Sequence, residues 1–247
     1  MIDIVVNADD FGLDASVNSA IIEAFNKSLI DSATIMANMP GFEEAIELIY
    51  ENKLTGKIGV HLNLDPAYFL TKNILSSKLF LENEYDEIRK NRWKLIFVTK
   101  NTGLKLYEEF NEQIKRVIDR GIKPTHLDTH HHLHEIWPVT KIVIMLLRKY
   151  KIPSMRILNN TNVRTTCHKK AYRNAVNYIL KKKNINYSDY FGNQIEARRF
   201  LLQYRGRKND KKLEIMVHPV YDDSGKLVDK IGHEKYFLKR YNYSNNE

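Results

Sequence analysis

The chain has a single cysteine, Cys167, in 247 residues. No intrachain disulfide is possible, so a small secreted scaffold held by disulfides is excluded. Cys167 lies in a Lys/Arg-rich stretch and is read as a surface or half-buried thiol. It does not pair with adjacent His168 as a nucleophile, because neighbours on a helix point apart. Long apolar runs are also missing. The longest beyond the N-terminus, Ile142 to Leu147, is far too short to span a bilayer. Met1 runs straight into Ile2-Asp3-Ile4-Val5-Val6 with no basic leader or small-residue cleavage site. The expectation is a cytoplasmic protein with no membrane partner. Two familiar catalytic signatures are absent as well, the Gly-x-Ser-x-Gly elbow and the Gly-x-x-x-x-Gly-Lys phosphate loop.

What is present is an ordinary globular composition, 43% hydrophobic and 28% charged, which argues against disorder. The formal charge is +9. Lys and Arg are scattered, and the densest runs, Lys181 to Lys183 and Arg205 to Lys212, read as solvated helix ends and a turn. No nucleic-acid partner is expected. The net positive field suits an anionic substrate.

Short apolar runs alternate with helical periodicity. Strands are expected at Ile2–Ala8, Ser32–Ala37, Lys57–Leu62, Pro124–Thr129, Ser154–Leu158, Tyr187–Phe191 and Leu213–Val217. Helices fall between them. One is capped by Asp14, one is opened by Pro40-Gly41, and one carries Leu106, Phe110, Ile114 and Val117 and is closed by Gly121. Others run over Pro138–Lys149, Val163–Lys183 and Gln194–Tyr204. This rhythm means βαβ units and a parallel sheet. About seven units in one chain predict a single α/β domain, residues 1–247, folded as a nearly closed (β/α) barrel. Residues 65 to about 105 follow no period and read as an irregular insertion.

Four segments set metal-capable side chains where a strand ends: Asn7-Ala8-Asp9-Asp10-Phe11-Gly12, Gly59-Val60-His61-Leu62-Asn63, Thr125 to His134, and Met216-Val217-His218-Pro219. In such barrels the C-terminal strand ends form the active-site rim, so the four converge. Adjacent Asp9 and Asp10 are costly unless a positive charge lies beside them, and a divalent cation divides them into a ligand and a free proton acceptor. Five histidines in the nine residues from His126 to His134 exceed what packing asks for, and neutral imidazole is a common ligand. One Asp and two His around an ion with open positions is a hydrolytic arrangement. Asp128 and the remaining histidines would orient the ligands. By softness this donor set suits zinc or another transition metal.

These four segments, in this order, resemble the YdjC-like carbohydrate deacetylases, which include chitooligosaccharide deacetylases. The resemblance implies a distorted, incomplete TIM-like barrel, one divalent metal ion, magnesium by that likeness, and a family often found as homodimers. Carried over by position, Asp9 is the proton acceptor and Asp10, His61 and His130 bind the metal. The implied reaction is hydrolysis of the acetamide of an N-acetylated sugar, an acetylglucosamine-containing oligosaccharide with or without phosphate, releasing acetate. The chain departs from the family at Asp65-Pro66-Ala67-Tyr68-Phe69 and over residues 187–200, where the sugar subsites would form. An amine leaving group needs an acid. His218, at the end of the last strong strand, is the candidate, with His132 as competitor. Arg156 is read as a substrate contact through its planar fork or as a surface salt bridge. The rival chemistry is a metal-dependent phosphoesterase, which commonly holds two or three ions on a similar rim.

Overall fold

The computed structural model describes residues 2–75, 96–162, 165–204 and 211–231. Strand β1 (Asp3–Phe11) leads into α1 (Ala15–Asn26), β2 (Ser32–Ile35), α2 (Phe42–Glu51) and β3 (Ile58–Leu62). A short helix α3 (Lys72–Leu75) precedes the long α4 (Lys100–Asp119), which is followed by β4 (Leu127–Thr129), a 3-10 segment (His130–Glu135) and α5 (Trp137–Lys149). The remaining elements are α6 (Cys167–Lys182), β5 (Tyr190–Asn193), α7 (Gln194–Gln203), β6 (Lys212–Val217) and the hairpin β7 (Pro219–Tyr221) and β8 (Leu227–Asp229). No helix among the described residues is long and apolar enough to cross a membrane.

β1 to β6 form one parallel sheet in the order β4-β3-β2-β1-β6-β5. The sheet curls, and its backbone ladder continues past β4. Arg156 N–H donates to Leu127 O at 2.9 Å, while Met155 N–H donates to Ile185 O at 2.8 Å, just before the stretch that enters β5. The expected strand Ser154–Leu158 is thus reduced to bridges at Met155. Pro153 offers no donor before it, and the Asn177 side chain captures both Leu158 N–H and Leu158 C=O beyond it, each at 2.8 Å.

The helices cover the outer face of the curl. Asp14 caps α1 by accepting from Val17 N at 2.8 Å, and α2 buries Phe42, Ala45, Ile46 and Ile49. Leu106, Phe110, Ile114 and Val117 form the buried stripe of α4, and Gly121 ends it with φ 79°, a left-handed position that favours glycine. α4 begins at Lys100, inside the segment read as an insertion, because Thr99 caps it by accepting from Thr102 N at 3.2 Å. Part of that insertion, residues 76–95, lies outside the described residues, as do Val163, Arg164 and residues 205–210 of the expected α6 start and basic turn. The β7–β8 hairpin was not expected; its strands are too short to show a period.

The inner face differs from an apolar parallel sheet. Val6 and Ala8 pack outward into the core with Ile215 and Val217. Asn7, Ser32, Thr34 and Asp128, all buried, are instead joined by hydrogen bonds across the interior: Ser32 Oγ donates to Asn7 Oδ1 at 2.7 Å, Asn7 Nδ2 to Thr34 Oγ1 at 3.2 Å, and Thr34 Oγ1 to Asp128 Oδ2 at 3.1 Å. Gly59 in β3 leaves room for this packing. A Cβ there would lie 2.7 Å from His126 O and 2.8 Å from its ring. Gly59→Ala should therefore lower stability by about 1–3 kcal/mol through overpacking, read as a lower urea midpoint at unchanged m-value. An unchanged midpoint would refute the close approach.

Candidate metal and catalytic centre

Successive side chains in a strand leave opposite faces, so Asp9 and Asp10 should diverge. β1 avoids this with a bulge. Ala8 lies opposite Ala33 and Phe11 opposite Ile35, so β1 carries one extra residue. Asp10 adopts φ 69° and Gly12 φ 89°. Both carboxylates are buried and both turn toward His61. Asn18 secures the exit by accepting from Gly12 N at 2.7 Å and donating to Gly41 O at 2.9 Å. The strand thus runs through the two aspartates instead of ending before them.

Asp10 Oδ1 lies 3.2 Å from His61 Nε2 and 3.0 Å from His130 Nδ1, and the two ring nitrogens are 3.3 Å apart. Oδ1 is buried without a well-formed hydrogen bond among the described residues. A divalent ion bonded at about 2.1 Å sets neighbouring donor atoms about 3.0 Å apart in an octahedral shell and about 3.4 Å apart in a tetrahedral one. All three separations fall in that span. The residues present therefore fit a cation, and Asp10, His61 and His130 form one group able to hold it. Burial alone would raise the Asp10 carboxyl, but the His130 and His61 nitrogens hold it well below the usual range.

His61 Nδ1 faces Asp128 Oδ1 at 2.7 Å. A carboxylate only accepts, so Nδ1 carries a proton and Nε2 is the nitrogen that faces the triangle. Burial opposes charge on His61, yet Asp128 and Asp9 together push it up to about 10.

Asp9 is gripped from behind. Arg156 Nη1 donates to Asp9 Oδ2 at 2.7 Å and Nη2 to Asp9 Oδ1 at 2.6 Å. Asn7 Nδ2 adds a bond to Oδ1 at 2.9 Å. Burial would raise Asp9, but the Arg156 charge and its hydrogen bonds keep it well below the ordinary range. The same guanidinium reaches Asp128 Oδ2 at 2.7 Å and Glu214 Oε1 at 2.6 Å, and packs its carbon 4.7 Å from the Phe191 ring centre. Arg156 is 0% exposed, which corrects both sequence readings of it. It is neither a surface salt bridge nor placed to touch a substrate.

The histidine cluster divides. His130 faces Asp10. His126 stacks on Tyr187 with ring centres 4.1 Å apart, and His134 Nδ1 bonds Thr129 Oγ1 at 2.8 Å. Burial is the main cause that lowers both to about 4, so they are neutral core residues and do not orient the ligands as expected. His131 and His132 each take φ 54°, a strained region for residues other than glycine. The His131 ring lies against His130 at 3.8 Å, and the His132 ring lies 5.7 Å from Phe191. His218 Nε2 lies 3.9 Å from Asp10 Oδ2, and its backbone N–H donates to Asp229 Oδ1 at 2.8 Å.

Glu214, Thr34 and Asp229 escaped the sequence reading, and Asn7 was named in its segment but given no role. Only Glu214 carried a signal, as a lone charge between Leu213 and Ile215 in a strand otherwise buried.

The centre can be compared with known proteins. The family model described as YdjC-like protein matches residues 3–244. A carbohydrate deacetylase of Clostridium beijerinckii is 32% identical over 90% of this chain and 82% of its own, and one of Halalkalibacterium halodurans is 32% identical over 89% and 86%. A chitooligosaccharide deacetylase of Klebsiella pneumoniae is 27% identical over 89% of this chain and 82% of its own. A solved structure from Enterococcus faecalis V583 shares the fold with a TM-score of 0.66 at 24% identity, covering 90% of this chain and 83% of that one. With its bulged aspartate pair and the two histidines that meet it, this chain belongs to the YdjC-like family.

Proposed function

We propose that the chain is a metal-dependent carbohydrate deacetylase that hydrolyses the acetamide of an N-acetylated sugar. The observation that carries the proposal is the convergence of the Asp10, His61 and His130 donor atoms beside an Asp9 fixed by Arg156. The relatives named above as carbohydrate deacetylases support the substrate class. The curled sheet is read as an incomplete TIM-like barrel with its site at the C-terminal strand ends. A divalent cation in the triangle would supply Lewis-acid polarisation of the acetyl carbonyl and acidify water.

The chain's own groups do the rest. Asp9 stays ionised because Arg156 faces it, so it is available to take a proton from water. Among the described residues Oδ2 accepts only from Arg156, whereas Oδ1 also accepts from Asn7, so Oδ2 is the atom where the proton lands. His218, 17% exposed in its side chain and 3.9 Å from Asp10 Oδ2, gives a proton to the departing amine.

The phosphoesterase reading needs a second ion. The only other group of carboxylates and histidine of suitable spacing among the described residues is Asp9, His61 and Asp128. The Arg156 guanidinium already contacts both of its carboxylates, which favours a single ion and deacetylation.

Acetate release should be measured from diacetylchitobiose, its 6-phosphate and monomeric N-acetylglucosamine. EDTA should abolish release, and adding back magnesium, zinc, cobalt and nickel one at a time should restore it to different extents at one ion per chain. No acetate with any metal, in folded and metal-loaded protein, would sink these sugars as substrates. Asp9→Asn should keep its metal while kcat falls about 10²–10⁴-fold, whereas Asp10→Asn should lose the metal. Metal loss in Asp9→Asn would mean that the two roles are exchanged. His218→Ala should lower kcat more than His132→Ala does, and the reverse order would transfer the acid role to His132.

A further inference from the structure

Glu214 is a third carboxylate on Arg156, and nothing in the proposed chemistry uses it. It sits in β6 at 0% exposure. Its Oε1 accepts from Arg156 Nε at 2.6 Å, while its Oε2 is buried with no hydrogen-bond partner among the described residues. Burial pushes the carboxyl up to about 7 against the pull of Arg156. A group that is both desolvated and half satisfied is costly to keep.

The guanidinium geometry shows what this carboxyl does. Arginine has a terminal edge, Nη1 and Nη2, and a side position at Nε, all rigidly coplanar. Asp9 takes the terminal edge with two bonds, and Asp128 shares Nη1. Those contacts hold the terminal edge and the Nη1 side. The bond from Nε to Glu214 holds the remaining donor, the one next to the stem, and the guanidinium carbon lies 4.7 Å from the Phe191 ring centre. We infer that Glu214 is a positioning residue: by pinning Arg156 through Nε, it sets the plane of the guanidinium and thereby the orientation of the Asp9 carboxylate toward the water it deprotonates. This inference rests on the deacetylase reading for its catalytic consequence, but the placement of Arg156 can be tested without it. Glu214 itself touches neither the cation triangle nor any surface that a substrate could reach.

The test compares metal-loaded wild type, Glu214→Gln and Glu214→Met. Gln keeps an oxygen for Arg156 Nε, whereas Met keeps the bulk and offers none. Two readouts are needed. The first is the Nε–Hε resonance of Arg156 in 15N-labelled protein, identified by its loss in Arg156→Lys and followed by its exchange with solvent. The second is acetate release resolved into kcat and KM. The resonance should stay slowly exchanging in Gln and become fast-exchanging in Met. For Met, kcat should fall about 100-fold, the scale of a reacting group misplaced by about 1 Å. KM should stay within about twofold of wild type because no substrate contact is removed. Gln should recover kcat to within about threefold, and both variants should bind one metal ion as wild type does. A Met variant with wild-type kcat overturns the inference. So does a Gln variant that keeps the resonance yet loses as much activity as Met, because charge and not position would then be the property used. If wild type releases no acetate, the deacetylase reading fails, while the resonance still decides whether Glu214 holds Arg156.

Discussion

One buried cation organises the interior of this protein. Arg156 has no exposure and meets Asp9, Asp128 and Glu214, which come from β1, β4 and β6. An unpaired charge at that depth would cost several kcal/mol, so neither the arginine nor the carboxylates are tolerable alone. Together they bind three separate strands of the curled sheet to one point. The arrangement also divides labour among acids of similar intrinsic strength. Asp9 is held ionised, Asp128 is turned to the Nδ1 side of His61, and Glu214 is pushed toward the protonated form. The difference lies in how many donors each carboxyl receives against how much water it has lost.

The rim above this cation is built from backbone that local preference does not favour. Asp10, His131 and His132 all have positive φ, and each costs on the order of 1–3 kcal/mol outside glycine. The cost is borne by the scaffold around them. β1 is paired on both sides, against β2 and β6. The turn after β4 is secured by Thr129, whose Oγ1 accepts from His134 N at 2.9 Å. Strain of this kind serves the site, because a regular β1 would send Asp9 and Asp10 to opposite faces and split the carboxylate that Arg156 grips from the one that faces His61 and His130.

These features explain what could be read from the chain alone. The βα rhythm and the four strand-end segments follow from residue type and period, which a sequence displays directly, whereas the choice of Asp10, His61 and His130 among the acids and histidines comes from the resemblance to the YdjC-like family. The bulge in β1 does not, because a bulge is a property of the pairing between Asp9-Asp10 and β2 and no residue type demands it. The shortening of Ser154–Leu158 to two bridges at Met155 depends on Asn177, which is distant in sequence. The sorting of the histidines was hidden for the same reason. His126 and His134 have the composition of ligands, and only Tyr187 and Thr129 beside them show that they belong to the core.

The position of Arg156 was the largest misreading, and its cause is general. A parallel strand covered by helices outside and by its own sheet inside is expected to be apolar on both faces. Here the inner face alternates with period two into polar residues: Asn7 and Asp9 in β1, Ser32 and Thr34 in β2, and Glu214 in β6. Such an interior is stable only if the network closes, since each unmatched group would cost more than an apolar replacement. An arginine at the start of a short strand segment is therefore the residue that the surrounding acids require. Its five donors can serve three acids at once, where lysine, a point charge without a planar fork, could not hold the same geometry. The alternation of polar residues on the strands and the presence of one arginine among them are two parts of a single constraint, and together they fix where the Asp9 carboxylate must stand.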